Sequence, residues 1–335
     1  MVKYYLFWCL ALLTGFALAG DDLTRIGNRT IERTVQLRTH SLYAPYIDQD
    51  LQNRWWDFGG DAYINTAKHI RLTRDRPSEM GWLWSRLPIT SINFVIEIEF
   101  KISGSPNHLY GDGMAIWLTK GRAMPGPVFG SMDNFEGLGI FLDTYSNTRH
   151  AYSFPRVVAM LGDGKTSYDL GNDGDSNAIG SCSAFYRRTN IATKLKITYL
   201  RDGLLDVKIH YKAWDDWTPC FTLRNVSLPE VPFLGFSALT GDVSDEHDII
   251  SLTTYSAILS NTNNPRGKIQ LEESAYSGWF RALAKIAFFF GAVAGALYGY
   301  KTYTLRSTQN FNSYPRSPGI GGTGFAGGGF YEKRF

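Results

Sequence analysis

Short stretches in which apolar and polar residues alternate dominate the chain from about residue 35 to residue 260. The apolar positions of the three clearest stretches are Ile92, Phe94, Ile96, Ile98 and Phe100; Leu195, Ile197 and Tyr199; and Leu205, Val207, Ile209 and Tyr211. A period of two is typical of strands that bury one face. Asp202-Gly203 lies between the last two stretches and predicts a hairpin turn.

Two further segments, Met114–Leu118 and Leu138–Leu142, are apolar at successive positions, which indicates central strands buried on both faces. Gly, Pro and Asp residues separate the stretches, and no amphipathic helix of normal length is visible. Many short strands in a body of this size favour one large antiparallel β-sandwich over residues 35–260.

The first residues have the order of a signal peptide. Lys3 precedes an apolar run from Tyr4 to Leu18, and Ala17 and Ala19 provide a small-residue cleavage site. An uncleaved signal anchor is the alternative, but the run is short for a membrane span. We therefore expect residues 1–19 to be removed.

A second apolar segment, residues 282–300, is interrupted only by Lys285. Its length corresponds to roughly 28 Å of helix, close to the thickness of a bilayer core. A buried helix of a soluble protein fits poorly, because the segment is apolar on all sides. We predict a transmembrane helix here, a short luminal stalk at residues 261–281 and a Gly-rich cytosolic tail at residues 301–335.

The distribution of charge supports this topology. The net charge of the whole chain is +3, but the tail is basic and the segment between signal and span has slightly more acidic than basic residues. Basic residues on the cytosolic side are expected for a single-pass type I protein. The basic balance therefore gives no reason to expect nucleic acid binding.

The cysteines and glycosylation motifs agree with a secretory location. Cys9 lies in the signal, so Cys182 and Cys220 remain alone in an oxidising lumen and one disulfide is predicted. Asn28 and Asn225 begin N-x-[ST] acceptors, although such short motifs often occur by chance.

A possible metal site follows the apolar segment Leu138–Leu142. Asp143, Tyr145 and Asn147 offer a carboxylate, a backbone carbonyl and an amide at alternate positions, and the acidic loop 169–175 offers another carboxylate. Calcium binds six to eight such oxygens. On these residues alone, ordinary Asp/Asn/Gly turns remain the favoured alternative.

Five further motifs favour the calcium site over ordinary turns. They are Trp56-Asp57-Phe58, Gly111–Trp117, Pro125–Gly130, Gly139–Asn147 and Thr240–Asp248. Their residues, order and spacing resemble those of the L-type lectin cargo receptors of the early secretory pathway, over nearly the whole body. The resemblance implies a concanavalin-like antiparallel β-sandwich, or jelly roll. It also implies calcium-dependent binding of high-mannose N-glycans on secretory glycoproteins, without catalysis, by a receptor that cycles between ER, ER-Golgi intermediate compartment and Golgi.

The same resemblance assigns roles to individual residues. It implies that calcium is held by Asp143, the Tyr145 carbonyl, Asn147 and Asp173. The implied sugar contacts are Ser78, Asp112, Tyr145, Asn147, Gly241, Asp242 and Val243. Cys182 and Cys220 stand where the family places its disulfide.

One position departs from the family pattern. Mannose-binding members carry a histidine directly after the Tyr-Asp pair that is Tyr168-Asp169 here, and this chain has Leu170. Leucine cannot donate the imidazole hydrogen bond, a loss on the order of 1 kcal/mol. The alternative function is a calcium-stabilised, protein-binding trafficking adaptor that has lost or altered sugar binding.

Glu97 and Glu99 suggest a third possibility, because paired carboxylates serve sandwich-fold glycosidases. Both lie on the face opposite Ile96 and Ile98, so a solvated surface is the better interpretation. We therefore predict no enzymatic activity.

Two features outside the body suggest partners. Gly291, Gly295 and Gly299 form a small-residue stripe in the predicted span, which would allow two helices of a homo-oligomer to approach. The terminal Lys333-Arg334-Phe335 is of the kind that vesicle coat proteins recognise for ER exit.

Overall fold

The computed structural model describes the backbone of residues 24–214, 216–260 and 265–310. Side chains are described from residue 25 within the first two ranges and for residues 283–305 of the third. The predicted signal peptide and residues 311–335 of the predicted tail lie outside the described residues. The chain divides after Ser260 into two units, and each is described by itself.

Sixteen strands build the first unit, and all their pairings are antiparallel. In chain order they are β1 (Thr24–Ile26), β2 (Arg29–Gln36), β3 (Trp56–Gly60), β4 (Tyr63–Asn65), β5 (His69–Thr73), β6 (Met80–Ser85), β7 (Phe94–Ser103), β8 (Gly113–Thr119), β9 (Glu136–Asp143), β10 (Arg156–Asp163), β11 (Gly180–Ser183), β12 (Thr193–Leu200), β13 (Leu204–His210), β14 (Thr218–Leu223), β15 (Phe233–Leu239) and β16 (Glu246–Leu259). Two single-turn 3-10 helices, Arg38–His40 and Leu170–Asn172, lie in the connections.

The strands form two sheets. The nine-stranded sheet has the order β1-β2-β16-β7-β12-β13-β14, with β5 also paired to β16 and β4 to β5. The seven-stranded sheet has the order β11-β10-β9-β8-β15-β6-β3. The predicted antiparallel sandwich is confirmed.

Alternation along the strands explains the packing. Ile96 and Ile98 of β7 are fully buried in the main core, together with Ile116 of β8 and Leu138 of β9. The opposite face of the seven-stranded sheet buries a second aromatic cluster that includes Trp117. Strands β8 and β9 are therefore buried on both faces, as their continuous apolar sequence predicted.

Some details of the predicted strands needed correction. Ile92 and Tyr211 were assigned to alternating strands, but β7 begins at Phe94 and β13 ends at His210. Ile92 is 55% exposed, because it precedes the strand and has no sheet to cover it. The predicted hairpin at Asp202-Gly203 does join β12 to β13.

Glu97 and Glu99 form cross-strand ion pairs on one face of the nine-stranded sheet. Glu97 lies 2.5 Å from Lys196, and Glu99 lies 3.8 Å from Lys194. The pairing of β12 with β7 places each lysine of β12 directly opposite its glutamate on β7. These carboxylates are half-exposed and neutralised, which is the solvated surface that the sequence indicated.

The predicted disulfide is confirmed. Cys182 on β11 and Cys220 on β14 are bonded, with their Cα atoms 5.3 Å apart. Since β11 and β14 are terminal strands of different sheets, the bond fastens the two sheets along one edge.

Replacement of both cysteines by serine is expected to lower the free energy of unfolding substantially. The bond closes a loop with a sequence separation of 38 residues, and a loop of that length corresponds to ~4 kcal/mol of lost chain entropy in the unfolded state. Urea unfolding of the sandwich, residues 35–260, measures the change. The unsubstituted body with a reducing agent is the control. If the double serine variant were as stable as the oxidised, unsubstituted body, the expectation would be contradicted.

The described residues of the second unit form one helix, α1 (Pro265–Asn310). Its segment Leu283–Leu305 has 23 residues, a mean hydropathy of 1.4 and no buried residue, so it is long and apolar enough to cross a membrane. The helix begins within residues 261–281, the segment predicted to be a stalk. The stalk and the other predicted domain boundaries stay predictions.

Candidate functional site

The candidate site lies at one end of the seven-stranded sheet, where three adjacent strands begin or end. Gly113 at the start of β8 pairs with Asp143 at the end of β9 and with Leu239 at the end of β15. Antiparallel pairing thus brings the segment before β8, the loop after β9 and the loop after β15 to the same edge.

These loops enclose an open cavity of about 250 Å³. It is lined by Asp112, Pro127, Phe129, Asp143, Tyr145, Asn147, Tyr168, Leu170, Asp173 and Leu239. The cavity brings together all four predicted calcium ligands, the predicted sugar contact Asp112 and the unusual Leu170. The remaining predicted contacts, Ser78 and Gly241 to Val243, adjoin Asp112 and Gly111.

Asp112 is fixed through its backbone. Its amide donates to the Leu239 carbonyl at 3.2 Å, and its own carbonyl accepts from the backbone amide and the hydroxyl of Thr144, each at 3.0 Å. Burial raises the pKa of the Asp112 carboxyl to about 6, the neighbouring Asp242 carboxylate adds to this, and the Gly241 amide partly offsets it. The side chain is therefore a desolvated acceptor beside open space.

The loop after β15 lies directly against Asp112. A Cβ atom at Gly241 would come within 3.1 Å of the Asp112 carboxylate, so glycine allows this close approach. The Gly241 carbonyl accepts the Ser78 amide at 3.0 Å. Tyr145 and Val243 both lie against Gly111. Ser78 and the loop 241–243 thus form one rim around Asp112.

The predicted calcium ligands tie two loops together. Asp143 accepts the Tyr145 amide at 3.1 Å, which turns the chain after β9. Asp173 accepts the Asn147 backbone amide at 3.1 Å and its side-chain amide at 2.7 Å. The backbone of Asp173 is left-handed, with φ 53°. This conformation follows the 3-10 turn Leu170–Asn172 and is one that aspartate tolerates.

The donor set fits calcium. Asp143 is 3% and Asp173 1% exposed, and burial followed by repulsion from Asp173 raises the pKa of Asp143 well above its usual range. Buried like charges are costly without a cation. The Tyr168 hydroxyl is also buried without a partner among the described residues. Among the described side chains, those of residues 25–214, 216–260 and 283–305, no three His, Cys, Asp or Glu residues form a metal cluster, so an ion here needs the amide and carbonyl oxygens as well.

Leu170 contributes to an apolar wall of the cavity. It is 42% exposed, and Pro127, Phe129 and Leu239 line the same space. These three residues were missed as site residues, as was Tyr168. Phe129 and Tyr168 pack on Phe141, in a cluster that the apolar sequence of β9 predicts only as core.

Comparison with known proteins agrees with this geometry. The model of the legume-like lectin family matches residues 33–264, which is more than half of the chain. The chain belongs to the legume-like lectin family. The resemblance inferred from the five sequence motifs is thereby confirmed, and the chain is also similar to the vesicular integral-membrane protein VIP36.

Three relatives illustrate the match. An L-type lectin-like domain-containing protein of Schizosaccharomyces pombe is 43% identical over 223 residues, covering 66% of this chain and 72% of that protein. The human VIP36-like protein is 39% identical over 229 residues, covering 67% of this chain and 65% of its own length. Human VIP36, the vesicular integral-membrane protein, is 38% identical over 228 residues, covering 67% of this chain and 64% of that protein. The match therefore spans slightly less than two thirds of the two human relatives.

Solved structures extend the likeness to the fold. The exoplasmic/lumenal domain of VIP36, in a form bound to Ca²⁺ and Man2, is 37% identical with a TM-score of 0.64. The match covers 68% of this chain and 92% of that domain. The carbohydrate recognition domain of Emp46p, in a potassium-bound form, is 23% identical with a TM-score of 0.55 and shows the fold alone.

Proposed function

We propose that this protein is a calcium-dependent lectin that binds high-mannose N-glycans of secretory glycoproteins. The observation that carries the proposal is a single cavity lined by the desolvated acceptor Asp112 and by the buried carboxylate pair Asp143 and Asp173. A VIP36 domain of the same family, solved with Ca²⁺ and Man2 bound, supports it. The ligand assignments made from the sequence are retained as part of the proposal.

In this proposal calcium is a structural clamp. Asp143, Asp173, the Asn147 amide and the Tyr145 carbonyl would hold it, and the ion would supply the positive charge that the buried pair needs. The loop after β9 and the loop 169–175 would then be fixed relative to each other. Asp112 and Asn147 would present ordered polar groups to adjacent hydroxyls, which reduces the ordering cost of binding a weak polar ligand.

We further propose that the lectin is a type I cargo receptor that cycles between ER, ER-Golgi intermediate compartment and Golgi. Residues 35–260 would be luminal, the apolar helix would cross the membrane and the tail would engage vesicle coat proteins. The apolar segment Leu283–Leu305 supports membrane anchoring. Self-association through Gly291, Gly295 and Gly299 is part of the same proposal.

Glycan-array binding of the lectin body, with and without a calcium chelator, tests the function. We expect oligomannose binding that the chelator abolishes. Calcium binding without a mannose signal at any glycan density would refute the lectin proposal. It would favour the protein-binding adaptor instead, which the apolar Leu170 in the cavity wall motivates.

A Leu170→His variant is expected to bind mannose disaccharides more tightly, by roughly the 5- to 10-fold that one hydrogen bond of ~1 kcal/mol gives. Leu170 lines the cavity and is 42% exposed, so an imidazole at this position has room beside Asp112 and Asn147. Calorimetric titration at saturating calcium measures the affinity. Leu170→Gln is the size-matched control, and equal or weaker binding by the histidine variant would show that this loop was aligned incorrectly.

A further inference from the structure

Both N-x-[ST] acceptor asparagines are exposed and lie outside the strands, one in the turn between β1 and β2 and one in the connection that leaves β14. Asn28 occupies the two-residue turn between Ile26 and Arg29, which are paired across β1 and β2. Asn225 follows β14 with a left-handed backbone, φ 62°. Acceptors in exposed turns leave room for a bulky, hydrophilic glycan. Burial therefore does not prevent the modification of either motif.

The two acceptors are neighbours in space. A Cβ atom at Gly27 would lie 3.5 Å from the Arg224 guanidinium. A Cβ atom at Gly203 would lie 3.0 Å from the backbone of Asn225, and the adjacent Asp202 pairs with Arg29 at 2.8 Å. The turn before β2, the hairpin between β12 and β13 and the segment after β14 therefore form one surface.

This surface lies at the opposite end of the sandwich from the cavity. Strand β7 pairs at Ser103 with Glu246, which follows the rim loop 241–243, and at Phe94 with Tyr199, next to the hairpin. The ten residues of β7 span about 30 Å at ~3.3 Å per residue. Ser260 donates to the Thr30 carbonyl at 2.9 Å, so the chain also leaves the body at this end.

We infer that Asn28 and Asn225 both carry N-linked glycans, grouped at the end of the body from which the chain continues to α1. The inference rests on the luminal orientation in the proposed function. Because the glycans stand about a strand length from the cavity, a molecule's own oligosaccharides do not compete for its own site.

Enzymatic deglycosylation of the full-length protein, made in a eukaryotic secretory host, tests the two sites. We expect two steps of electrophoretic mobility, one lost in Asn28→Gln and one in Asn225→Gln. Thr30→Ala should match Asn28→Gln, and Thr30→Ser should restore the modification. Protease protection of the body in sealed vesicles first establishes that the body is luminal. If mass spectrometry then finds the peptide of one acceptor unmodified, that site is overturned. A body open to protease refutes the luminal orientation instead.

The affinity for a mannose disaccharide tests whether the glycans stand away from the cavity, which is a separate question from whether they are present. The doubly deglycosylated protein should bind a mannose disaccharide with an affinity within about 2-fold of the glycosylated protein, since the cavity is remote. A larger gain in affinity on deglycosylation would show that the protein's own glycans reach the cavity, and would overturn the inferred separation.

An independent observation concerns His150, which lies between two acidic side chains beside the candidate calcium site. Its Nε2 atom is 2.6 Å from Asp173 Oδ2 and its Nδ1 atom 3.3 Å from Asp175. The imidazole is 6% exposed and stacks on Tyr152, with ring centroids 4.5 Å apart. An ionised carboxylate only accepts hydrogen bonds, so Nε2 donates to Asp173.

The network continues from His150 into the sheet. Arg156 donates to Asp175 at 2.5 Å and lies over the Tyr152 ring at 3.8 Å. Arg156 is the residue paired with Asp143 between β9 and β10. A closed set of contacts thus joins the loop after β9 to the loop 169–175 through side chains that are not themselves proposed calcium ligands.

We propose that His150 is a positioning residue, which holds the Asp173 carboxylate in place for the calcium that the proposed function requires. Hydrogen-bond partners of metal ligands typically contribute ~10- to 100-fold in metal affinity. His150 also fastens the two loops to each other, because it lies in the loop after β9 and contacts Asp173 and Asp175 of the loop 169–175.

Calcium titration of the lectin body tests this role. His150→Ala should weaken calcium binding about 10-fold or more, whereas His150→Gln, which keeps a side-chain N–H, should stay within about 3-fold of the unsubstituted protein. His108→Ala, at an exposed position, is the control. Unchanged affinity in His150→Ala, or equal losses in both His150 variants, would overturn the proposal.

A measurement without calcium tests whether His150 fastens the loops, independently of whether the protein binds calcium. In chelator, limited proteolysis between residues 144 and 155 should be faster for His150→Ala than for His150→Gln or the unsubstituted body. Equal rates would overturn the loop-fastening role. Failure of the unsubstituted body to bind calcium would refute the calcium-dependent lectin, and the proteolysis rates would still decide whether His150 fastens the loops.

Discussion

An Asp143→Asn protein is expected to lose calcium binding and, when calcium is absent, to melt at a higher temperature than the unsubstituted protein. The carboxylate is 3% exposed, and burial together with Asp173 raises its pKa well above the usual value. Asparagine keeps an oxygen that can accept the Tyr145 amide but removes the charge. The loss of calcium affinity should exceed the ~10- to 100-fold typical of outer-shell partners.

The sign of the stability change follows from the raised pKa of Asp143. Its folded form binds a proton more tightly than the unfolded chain, so the linked stabilisation is fully present below the ordinary pKa of ~3.9. It is lost as pH rises through the raised folded value. The neutral asparagine corresponds to the protonated state, so the calcium-free variant should gain most at neutral pH.

Thermal unfolding with calcium or chelator measures both effects. At calcium 100 times above its Kd, the unsubstituted body should gain ~2.7 kcal/mol, or roughly 5–10 °C for a domain of this size. Asp143→Asn should show no such gain. Asp163→Asn, at an exposed aspartate that ends β10, is the matched control and should show the same calcium-induced gain as the unsubstituted body. A variant that still binds calcium would exclude Asp143 as a ligand.

Asp112→Asn should abolish mannose binding while calcium binding persists. The Asp112 carboxylate lines the cavity, and its backbone is fixed to Leu239 and Thr144. A half-buried carboxylate that accepts hydrogen bonds from sugar hydroxyls loses these charge-assisted bonds when it becomes an amide, at ~1.5–3 kcal/mol each. Two such bonds correspond to a loss of at least ~100-fold in affinity.

The pH dependence of mannose binding should report the same carboxylate. The pKa of Asp112 is about 6, raised by burial and by Asp242. Protonation of Asp112 removes the charged acceptor, so the affinity for mannose should fall as pH falls through about 6. Bound calcium opposes this protonation, so the fall can occur at a lower pH. Titration calorimetry between pH 7.5 and pH 5 checks this. Asp48→Asn, exposed in a different pocket, is the control. A pH-independent affinity would exclude Asp112 as a charged sugar contact.

The sequence determined the class of fold and the strand interiors. Alternation in β7, β12 and β13 and the continuous apolar runs of β8 and β9 are local patterns, and burial of one or both faces follows from them directly. The motifs also named the candidate ligands. Strand ends were less well predicted, as Ile92 and Tyr211 show, because a strand stops where its neighbour in the sheet stops.

Only the tertiary structure decided which loops meet. Asp112, Asp143 and Asp173 are far apart in sequence, and strand pairing in the seven-stranded sheet brings them to one cavity. No local pattern distinguishes Phe129 or Tyr168 as cavity lining, since both also serve the core. Likewise, His150 gains a role only from its 2.6 Å contact with Asp173. Residue types and periodicity are thus properties of the sequence, whereas burial, charge repulsion and contact depend on which surfaces the two sheets bring together.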